Sequence, residues 1–273
     1  QPSKKPLTSG FFLLLGKIIF SKNTSKNFGI HHFCGIFMTQ GVFMKSMLTS
    51  ALLMVLSSAA LAAPMTQKEG LSGSIDVTSL YKLRGIDQDN RSPDRAIPAL
   101  QGQVQYQTKQ GLYAGAWGST GKFGQASAEV DVFGGYRNHF GPNIQYDIGL
   151  KRYAYSSDIS HNWSGAHTEL YGKIGKGPYS LEVARGFTSG VNKNDTYVNL
   201  GYWRPINAKW DVLASVGYTN LDHGKDYGDY TIGAVYKYEH GLSVTGKVSG
   251  SLNQDATGTQ GRNRFIVNVS KAF

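Results

Sequence analysis

The sequence predicts an all-β protein, a transmembrane antiparallel up-and-down β-barrel of about twelve strands. Three observations support this prediction: apolar and polar residues alternate along many short segments, short turns alternate with long polar loops, and aromatic residues recur on the apolar face near strand ends. The composition agrees, because the 273 residues include 34 glycines and 16 tyrosines, and only 17% are charged. An even strand count would place both termini on the periplasmic side.

The segment that precedes the strands has the features of a targeting sequence. Residues 44–62 contain one lysine, then an apolar stretch, and they end in the small-residue pattern Ala-Leu-Ala. This order is typical of a secretory signal peptide, with cleavage expected after Ala62. It implies export to the periplasm and, with the strands that follow, localisation in a bacterial outer membrane.

Residues 1–43 are interpreted as upstream translation from a wrong start, with the true start at Met44 or Met38. The barrel domain is therefore expected over residues 63–273.

Charge and cysteine content exclude several function classes. Six of the 28 basic residues and none of the 18 acidic residues lie before residue 63, so the remainder carries 22 basic and 18 acidic residues, a net charge of +4. We therefore expect no nucleic-acid partner, despite the whole-chain charge of +10. The single cysteine, Cys34, also precedes residue 63, which argues against a disulfide framework or thiolate metal site in the barrel. No cofactor and no metal are expected.

The strands follow from period-two alternation. In residues 100–107, four glutamines share one face, and Leu100, Gly102, Val104 and Tyr106 share the other. By the same criterion we predict strands within residues 75–83, 100–107, 111–119, 128–136, 143–151, 167–174, 179–187, 196–203, 210–218, 230–238, 242–250 and 263–273.

The predicted connections alternate in length. Short turns are expected at residues 108–111, 137–142, 175–178, 204–209 and 239–241. Long loops are expected at residues 86–98, 119–127, 156–165, 188–194, 220–229 and 252–261. This alternation is typical of outer-membrane barrels, whose periplasmic turns are short.

A soluble β-sandwich or lipocalin-like barrel would also alternate, but charges of both signs lie on the face opposite the apolar one. Such charges would be costly in a dry core and suit a wet lumen. Our candidate pore-lining charges are Arg84, Glu129, Asp131, Asp147, Lys151, Glu169, Lys173, Glu182 and Arg264.

Two aromatic residues of the segment GLYAGAWGS are further pore-lining candidates. Tyr113 and Trp117 are four residues apart, about 13 Å along a strand at ~3.3 Å per residue. That distance is too short to mark both interfaces of an apolar band about 25 Å tall. We predict that both point into the lumen and narrow it, while Leu112 and the following alanines face lipid; the opposite phase is the alternative.

The residues also resemble a known family. The stretch from residue 79 to residue 119, followed by EVDVFGGY and YDIGLKRYAY, resembles the proteobacterial family of TorF-type porins. The matching positions are Tyr81, Arg84, Gly85, Ile86, Gly111, Tyr113, Ala114, Gly115, Trp117 and Ser119. Leu80 and Ser156 stand where that family usually has Asp and Pro. The resemblance implies an outer-membrane barrel that acts as a porin.

The C-terminal residues Phe265, Val267, Val269 and Phe273 alternate up to a terminal aromatic. This pattern resembles the signal that the barrel-assembly machinery recognises. The other expected partners are outer-membrane lipid, lipopolysaccharide and small solutes.

The predicted function is passive diffusion of small hydrophilic solutes through a narrow charged lumen. The alternative is a structural or adhesive barrel without conductance. An outer-membrane lipid hydrolase is a third possibility, but His161, His167 and His223 lack a serine and an orienting partner in an evident pattern. We therefore expect no enzyme and no catalytic residues.

Overall fold

A computed structural model describes residues 69–89, 95–160, 166–187 and 193–273 of the chain. The predicted signal peptide and the segment before it lie outside the described residues. Within them, twelve antiparallel strands form a closed barrel in which every strand pairs with its neighbours in the chain, and the last strand pairs with the first. The predicted antiparallel barrel of about twelve strands is confirmed.

A separate two-stranded hairpin, β2 and β3, interrupts the series after the first barrel strand. In chain order the strands are β1 (Gly70–Thr78), β2 (Lys82–Leu83), β3 (Ile86–Asp87), β4 (Ala99–Gln107), β5 (Leu112–Phe123), β6 (Ala126–Phe140), β7 (Ile144–Tyr155), β8 (His167–Lys176), β9 (Tyr179–Gly186), β10 (Thr196–Pro205), β11 (Trp210–Asn220), β12 (Tyr227–Lys237), β13 (Leu242–Ser251) and β14 (Arg264–Ala272).

Short helices occupy three connections. Two α-helical turns cover Ser156–Ser160 and Gln254–Thr257, and two 3₁₀ turns cover Glu239–Gly241 and Gly258–Gly261. No helix in the described part of the chain is long and apolar enough to cross a membrane.

The first barrel strand lies earlier than predicted. It spans residues 70–78 instead of 75–83, because the chain turns inward after Thr78, whose hydroxyl donates to the Leu80 carbonyl at 3.0 Å. Leu80 and Tyr81 are buried inside the barrel. The alternation therefore continues past the end of the strand into a segment that packs in the lumen.

The predicted long loop at residues 119–127 is wrong. Strand β5 continues to Phe123 and β6 begins at Ala126, so that only two residues connect them. Gly124 supplies the positive φ, +62°, that this tight turn needs. The polar residues that indicated a loop lie instead on a hairpin that extends two paired strands.

The outward face is apolar on every barrel strand. Leu71, Ile75, Leu150 and Ile232 are among its exposed large side chains. Aromatic rings meet on this face near the short turns, as in the stacked pair Phe140 and Tyr146, whose ring centroids are 4.4 Å apart. An apolar band bordered by aromatic residues is typical of barrels embedded in lipid.

The C-terminal aromatic residue helps to close the barrel. The backbone of Phe273 exchanges two hydrogen bonds with Gly73, at 3.0 and 3.1 Å. Its ring covers the space where a Cβ atom on Gly73 would lie. A larger residue at position 73 would collide with the ring, so the glycine permits this closure.

Candidate luminal site

Residues 79–89, here called the luminal hairpin, fold from the end of β1 into the barrel interior. Lys82 anchors the near side of the hairpin. Its Nζ lies 2.6 Å from Asp87 and donates to the carbonyls of Gly85, Gln260 and Arg262 at 2.9–3.1 Å. Arg264 adds a second cation, with its Nε 3.3 Å from Asp87. These contacts join the hairpin to the connection between β13 and β14, beside its own strand.

The tip of the hairpin has a backbone that demands particular residues. Arg84 and Gly85 have φ values of +48° and +75°, as in a two-residue type I′ turn. A Cβ atom on Gly85 would lie 2.6 Å from Asp229 Cβ and 2.9 Å from the Gly250 carbonyl. Position 85 therefore accepts only glycine, whereas Arg84 holds a left-handed conformation that is unfavourable for its side chain.

Arg84 reaches the far wall. Its Nη1 and Nη2 each donate to one oxygen of Glu169, both at 2.8 Å, and its guanidinium lies 4.3 Å from the centre of the Tyr197 ring. Glu169 also accepts from the Tyr153 hydroxyl at 3.0 Å. Glu169 lies on β8, five strands from β1 by the shorter way around twelve. The hairpin thus crosses almost the full width of the lumen.

Aromatic packing holds the hairpin against the wall formed by β4–β6. Tyr81 contacts Trp117 with ring centroids 5.3 Å apart and Phe123 at 6.1 Å. Tyr113 and Trp117 both belong to this inward cluster, together with Phe133. The structure thus places the two aromatics on the inward face, where they fill part of the lumen.

A second polar cluster lies further along the same wall. The Tyr113 hydroxyl donates to Asp147 Oδ1 at 2.5 Å and contacts the Tyr171 hydroxyl, while Arg137 Nε donates to Asp147 Oδ2 at 2.9 Å. The Tyr171 hydroxyl lies where a Cβ on Gly149 would be. The glycines of this wall give the tyrosine rings space to lie flat against the sheet.

A third pair lies on the other side of the barrel. Lys237 Nζ is 2.7 Å from Asp211 Oδ1, and Trp203 Nε1 donates to Asp211 Oδ2 at 3.2 Å. The carboxylate is enclosed by its two donors, and the Lys237 side chain is more exposed than the Asp211 side chain.

The predicted pore-lining charges all lie on the inward side, but in different surroundings. Arg84 pairs with Glu169, Arg264 with Asp87, and Asp147 with Arg137. Lys173 lies opposite both Asp147 and Glu182 in the strand register. Lys151, Lys173 and Glu182 are half-buried.

Glu129 and Asp131 differ from the other candidates, because they lie buried beneath the luminal hairpin. Each has one carboxylate oxygen without a hydrogen-bond partner among the described residues.

Arg84 lies at the tip of the luminal hairpin and not on the first barrel strand. Sequence reasoning also missed Lys82, Asp87 and Arg137 as inward charges. Arg137 was assigned to a turn, although its spacing from Asp131 continues the inward phase of β6. That spacing was the available signal.

The histidines do not form a catalytic arrangement in the described part of the chain. His167 stacks on Tyr153 with ring centroids 4.6 Å apart, and the His223 side chain is exposed. His161 lies outside the described residues. Among the residues that the structure describes, no group of three or more His, Cys, Asp or Glu side chains could hold a metal ion.

Acidic residues in or beside the long loops accept hydrogen bonds that fix the conformation of these loops. Asp226 accepts from the Tyr218 hydroxyl, the Asn220 amide and the Leu221 backbone at 2.7–3.0 Å. Asp195 accepts from the Asp222 backbone N–H at 2.8 Å, and burial raises the pKa of its carboxyl. These carboxylates stabilise the loops that surround the barrel mouth.

Comparison with known proteins gives one family and several solved structures of similar fold. The family described as "Bacterial protein of unknown function (Gcw_chp)" matches residues 62–273. No curated protein matches the chain. The family's description assigns no activity, so the TorF-type resemblance stays a prediction.

Solved structures with a similar fold include porins. A KdgM porin superposes with a TM-score of 0.53 at 10% identity, covering 74% of this chain and 99% of the porin. A KdgM porin in complex with disordered oligogalacturonate gives 0.52 at 9% identity, covering 74% and 98%. A NanC porin gives 0.47 at 10% identity, covering 74% and 98%. At these identities the first two comparisons support the fold alone.

Proposed function

The chain belongs to the Gcw_chp family of bacterial proteins, and we propose that it is an outer-membrane porin for passive diffusion of small hydrophilic solutes. The observation that carries the proposal is a closed twelve-strand barrel with an apolar outer face and a charged interior. Charged side chains along a lumen replace water around a passing solute and set which solutes enter. The shared fold of the KdgM porins supports the same proposal.

The proposal includes export and assembly. Residues 44–62 would direct the chain to the periplasm, and the C-terminal alternation would present the barrel to the assembly machinery. The exposed side chains of the outer face include Phe265, Val267, Val269 and Phe273. An assembly signal must be accessible on this face, and a strand that faces lipid needs apolar side chains there. Both termini would then lie in the periplasm and the long loops would face lipopolysaccharide.

The luminal hairpin supports a narrow bore. A twelve-strand barrel is intermediate between filled eight-strand barrels and open sixteen-strand porins. The segment that crosses its lumen from β1 to Glu169 reduces the free section further. The proposed solutes are therefore small, and a folded macromolecule would not pass.

Single-channel recording in a planar bilayer tests the proposal. The purified, folded protein should produce discrete conductance steps, because a water-filled charged lumen conducts ions. Slower gel migration after boiling would first establish that the sample is a folded barrel. A flat trace from such a sample would contradict the porin proposal.

A non-conducting structural barrel is the second candidate, and one observation favours it. The hairpin is fixed to both walls and is packed by the cluster around Trp117, so the lumen could be closed by the same contacts that narrow it. The flat trace described above would select this candidate. Release of fatty acid from phospholipid by the purified protein would instead support a hydrolase.

A further inference from the structure

Within the luminal ion pairs, the cation is more exposed than the carboxylate. The exposed fractions of the side chains are 15% for Arg84 against 7% for Glu169, and 16% for Arg137 against 5% for Asp147. For Lys237 the exposed fraction is 23%, against 4% for Asp211. The carboxylates lie close to the strands and the cations project toward the lumen.

Arg264 and Asp87 follow the same order, with 18% against 5%. The pair of Lys82 with Asp87 is the exception, because the Lys82 side chain is fully buried.

The same division extends to every inward charge on the barrel strands and the luminal hairpin that the structure describes. The half-buried group contains six cations and one carboxylate: Arg84, Arg137, Lys151, Lys173, Lys237, Arg264 and Glu182. The fully buried group contains nine carboxylates and two cations: Asp76, Asp87, Asp89, Glu129, Asp131, Asp147, Glu169, Asp211, Asp229, Lys82 and Lys247.

The total charge of this set therefore says little about the surface that a solute meets. Ten carboxylates and eight cations give a small negative sum, but the oxygens of Glu169, Asp147 and Asp211 accept hydrogen bonds from Arg, Lys, Tyr or Trp donors. A passing ion exchanges its water for the groups it can touch. Among the charged groups, those within reach are predominantly N–H donors.

Four of the half-buried cations lie on or face the wall formed by β6–β9. In the strand register, Asp147 is paired with Arg137 on one side and with Lys173 on the other. Lys151 lies four residues further along β7. It is opposite Glu169, the residue that binds Arg84 at the tip of the hairpin. Four residues span about 13 Å of strand. The cations therefore border the passage at two levels, above and below Tyr171.

We propose that the lumen selects small anions, of the class of chloride and short-chain carboxylates, through this strip of cations along β6–β8. The inference rests on the proposed porin function and gives its solute class. Guanidinium and ammonium groups bind carboxylates by charge-assisted hydrogen bonds, and cationic side chains lining a pore favour anions. A cation would need carboxylate oxygens, and apart from the half-buried Glu182 the inward carboxylates that the structure describes are buried.

Lys151 is the residue on which the selectivity depends most. Its Nζ lies 5.2 Å from the centre of the Tyr153 ring, and among the described residues no carboxylate lies within ion-pair distance of it. Arg84, Arg137 and Lys237 are each held by a carboxylate. The Lys151 ammonium thus contacts an aromatic ring and is not held by a carboxylate, so a passing anion would not have to displace an ion-pair partner.

The reversal potential in a KCl gradient tests the inference. The wild type should favour chloride over potassium by about threefold or more, and Lys151→Gln should bring the ratio close to one. Lys176→Gln is the matched control, because Lys176 is exposed at the end of β8, on its outward phase, and should leave the ratio unchanged. A wild type that favours potassium would overturn the inference and leave the porin proposal intact.

A second measurement does not depend on conduction. The ³⁵Cl NMR line of chloride should broaden on addition of the folded protein, and Lys151→Gln should remove most of the excess width while Lys176→Gln should not. Broadening with a flat bilayer trace would support the anion site and reject the porin. Equal broadening by the wild type and Lys151→Gln would overturn the inference.

Discussion

Arg84 and Glu169 form a bidentate ion pair, with both N–O distances 2.8 Å, that joins the tip of the luminal hairpin to the far wall of the barrel. Among the described contacts, Arg84 is the hairpin residue that reaches β8 and β10, whereas Lys82 and Asp87 attach the near side. Its left-handed φ of +48° is a strained conformation, retained because the surrounding contacts hold it. The pair therefore fixes the hairpin across the lumen.

Arg84→Gly should widen the passage. Glycine accepts the positive φ without strain, so the turn should persist while the cross-lumen attachment is lost. We expect single-channel conductance to rise by about twofold, since charged constrictions limit ion flow. Arg84→Lys, which keeps the charge without the bidentate geometry, should give an intermediate value. Unchanged conductance in Arg84→Gly would show that the hairpin does not limit the passage.

Gly85→Ala should destabilise the hairpin. The new Cβ would meet Asp229 Cβ at 2.6 Å and the Gly250 carbonyl at 2.9 Å, at a φ of +75°. Backbone strain of about 1–2 kcal/mol adds to this steric conflict. The temperature at which the folded gel band disappears should fall.

Gly124→Ala is the matched control for position 85. Gly124 also has a positive φ, +62°, but a Cβ there would contact nothing within 4 Å. It should therefore show the backbone strain alone. An equal loss of stability in both variants would contradict a steric role for Asp229 and Gly250.

The sequence predicted the barrel and the phase of its strands because period two is a local property. In residues 100–107, for example, the glutamines face inward and Leu100, Val104 and Tyr106 are exposed. The sequence did not predict the inward hairpin. Leu80 and Tyr81 are apolar residues that fit the pattern of a strand, and the pattern is the same whether they face lipid or pack in the lumen. Burial alone separates these outcomes, and burial depends on distant strands.

The ion pairs could not be predicted from the sequence, for a related reason. Arg84 and Glu169 are 85 residues apart, and their contact depends on the closure of twelve strands and on the fold of a hairpin that is not part of the barrel. The inward position of Arg137 could have been predicted, because this residue continues the inward phase of β6 past the predicted end of the strand. Sequence patterns thus located many of the inward charges but not their partners.

Tyr113→Phe should lower the stability of the folded barrel without changing its shape. It removes the hydroxyl that donates to Asp147 at 2.5 Å and contacts Tyr171. Loss of a hydrogen bond to a charged group costs about 1.5–3 kcal/mol, measured as a lower urea midpoint of unfolding. Tyr106→Phe changes the same atom on the exposed outer face and should be nearly neutral. Equal effects would show that the luminal hydrogen bond is not stabilising.

Asp87→Asn should be the most destabilising single change in the hairpin anchor. Asp87 neutralises Lys82, which is fully buried at 2.6 Å from it, and also contacts Arg264 at 3.3 Å. Removing one partner of a buried ion pair leaves an uncompensated charge and costs about 3–5 kcal/mol. The double variant Lys82→Met/Asp87→Asn removes that charge and should recover part of the loss, with the urea midpoint between those of Asp87→Asn and the wild type. If the double variant were less stable than Asp87→Asn, the carbonyl contacts of Lys82 to Gly85, Gln260 and Arg262 would be the main anchor, and the neutralisation by Asp87 would be secondary.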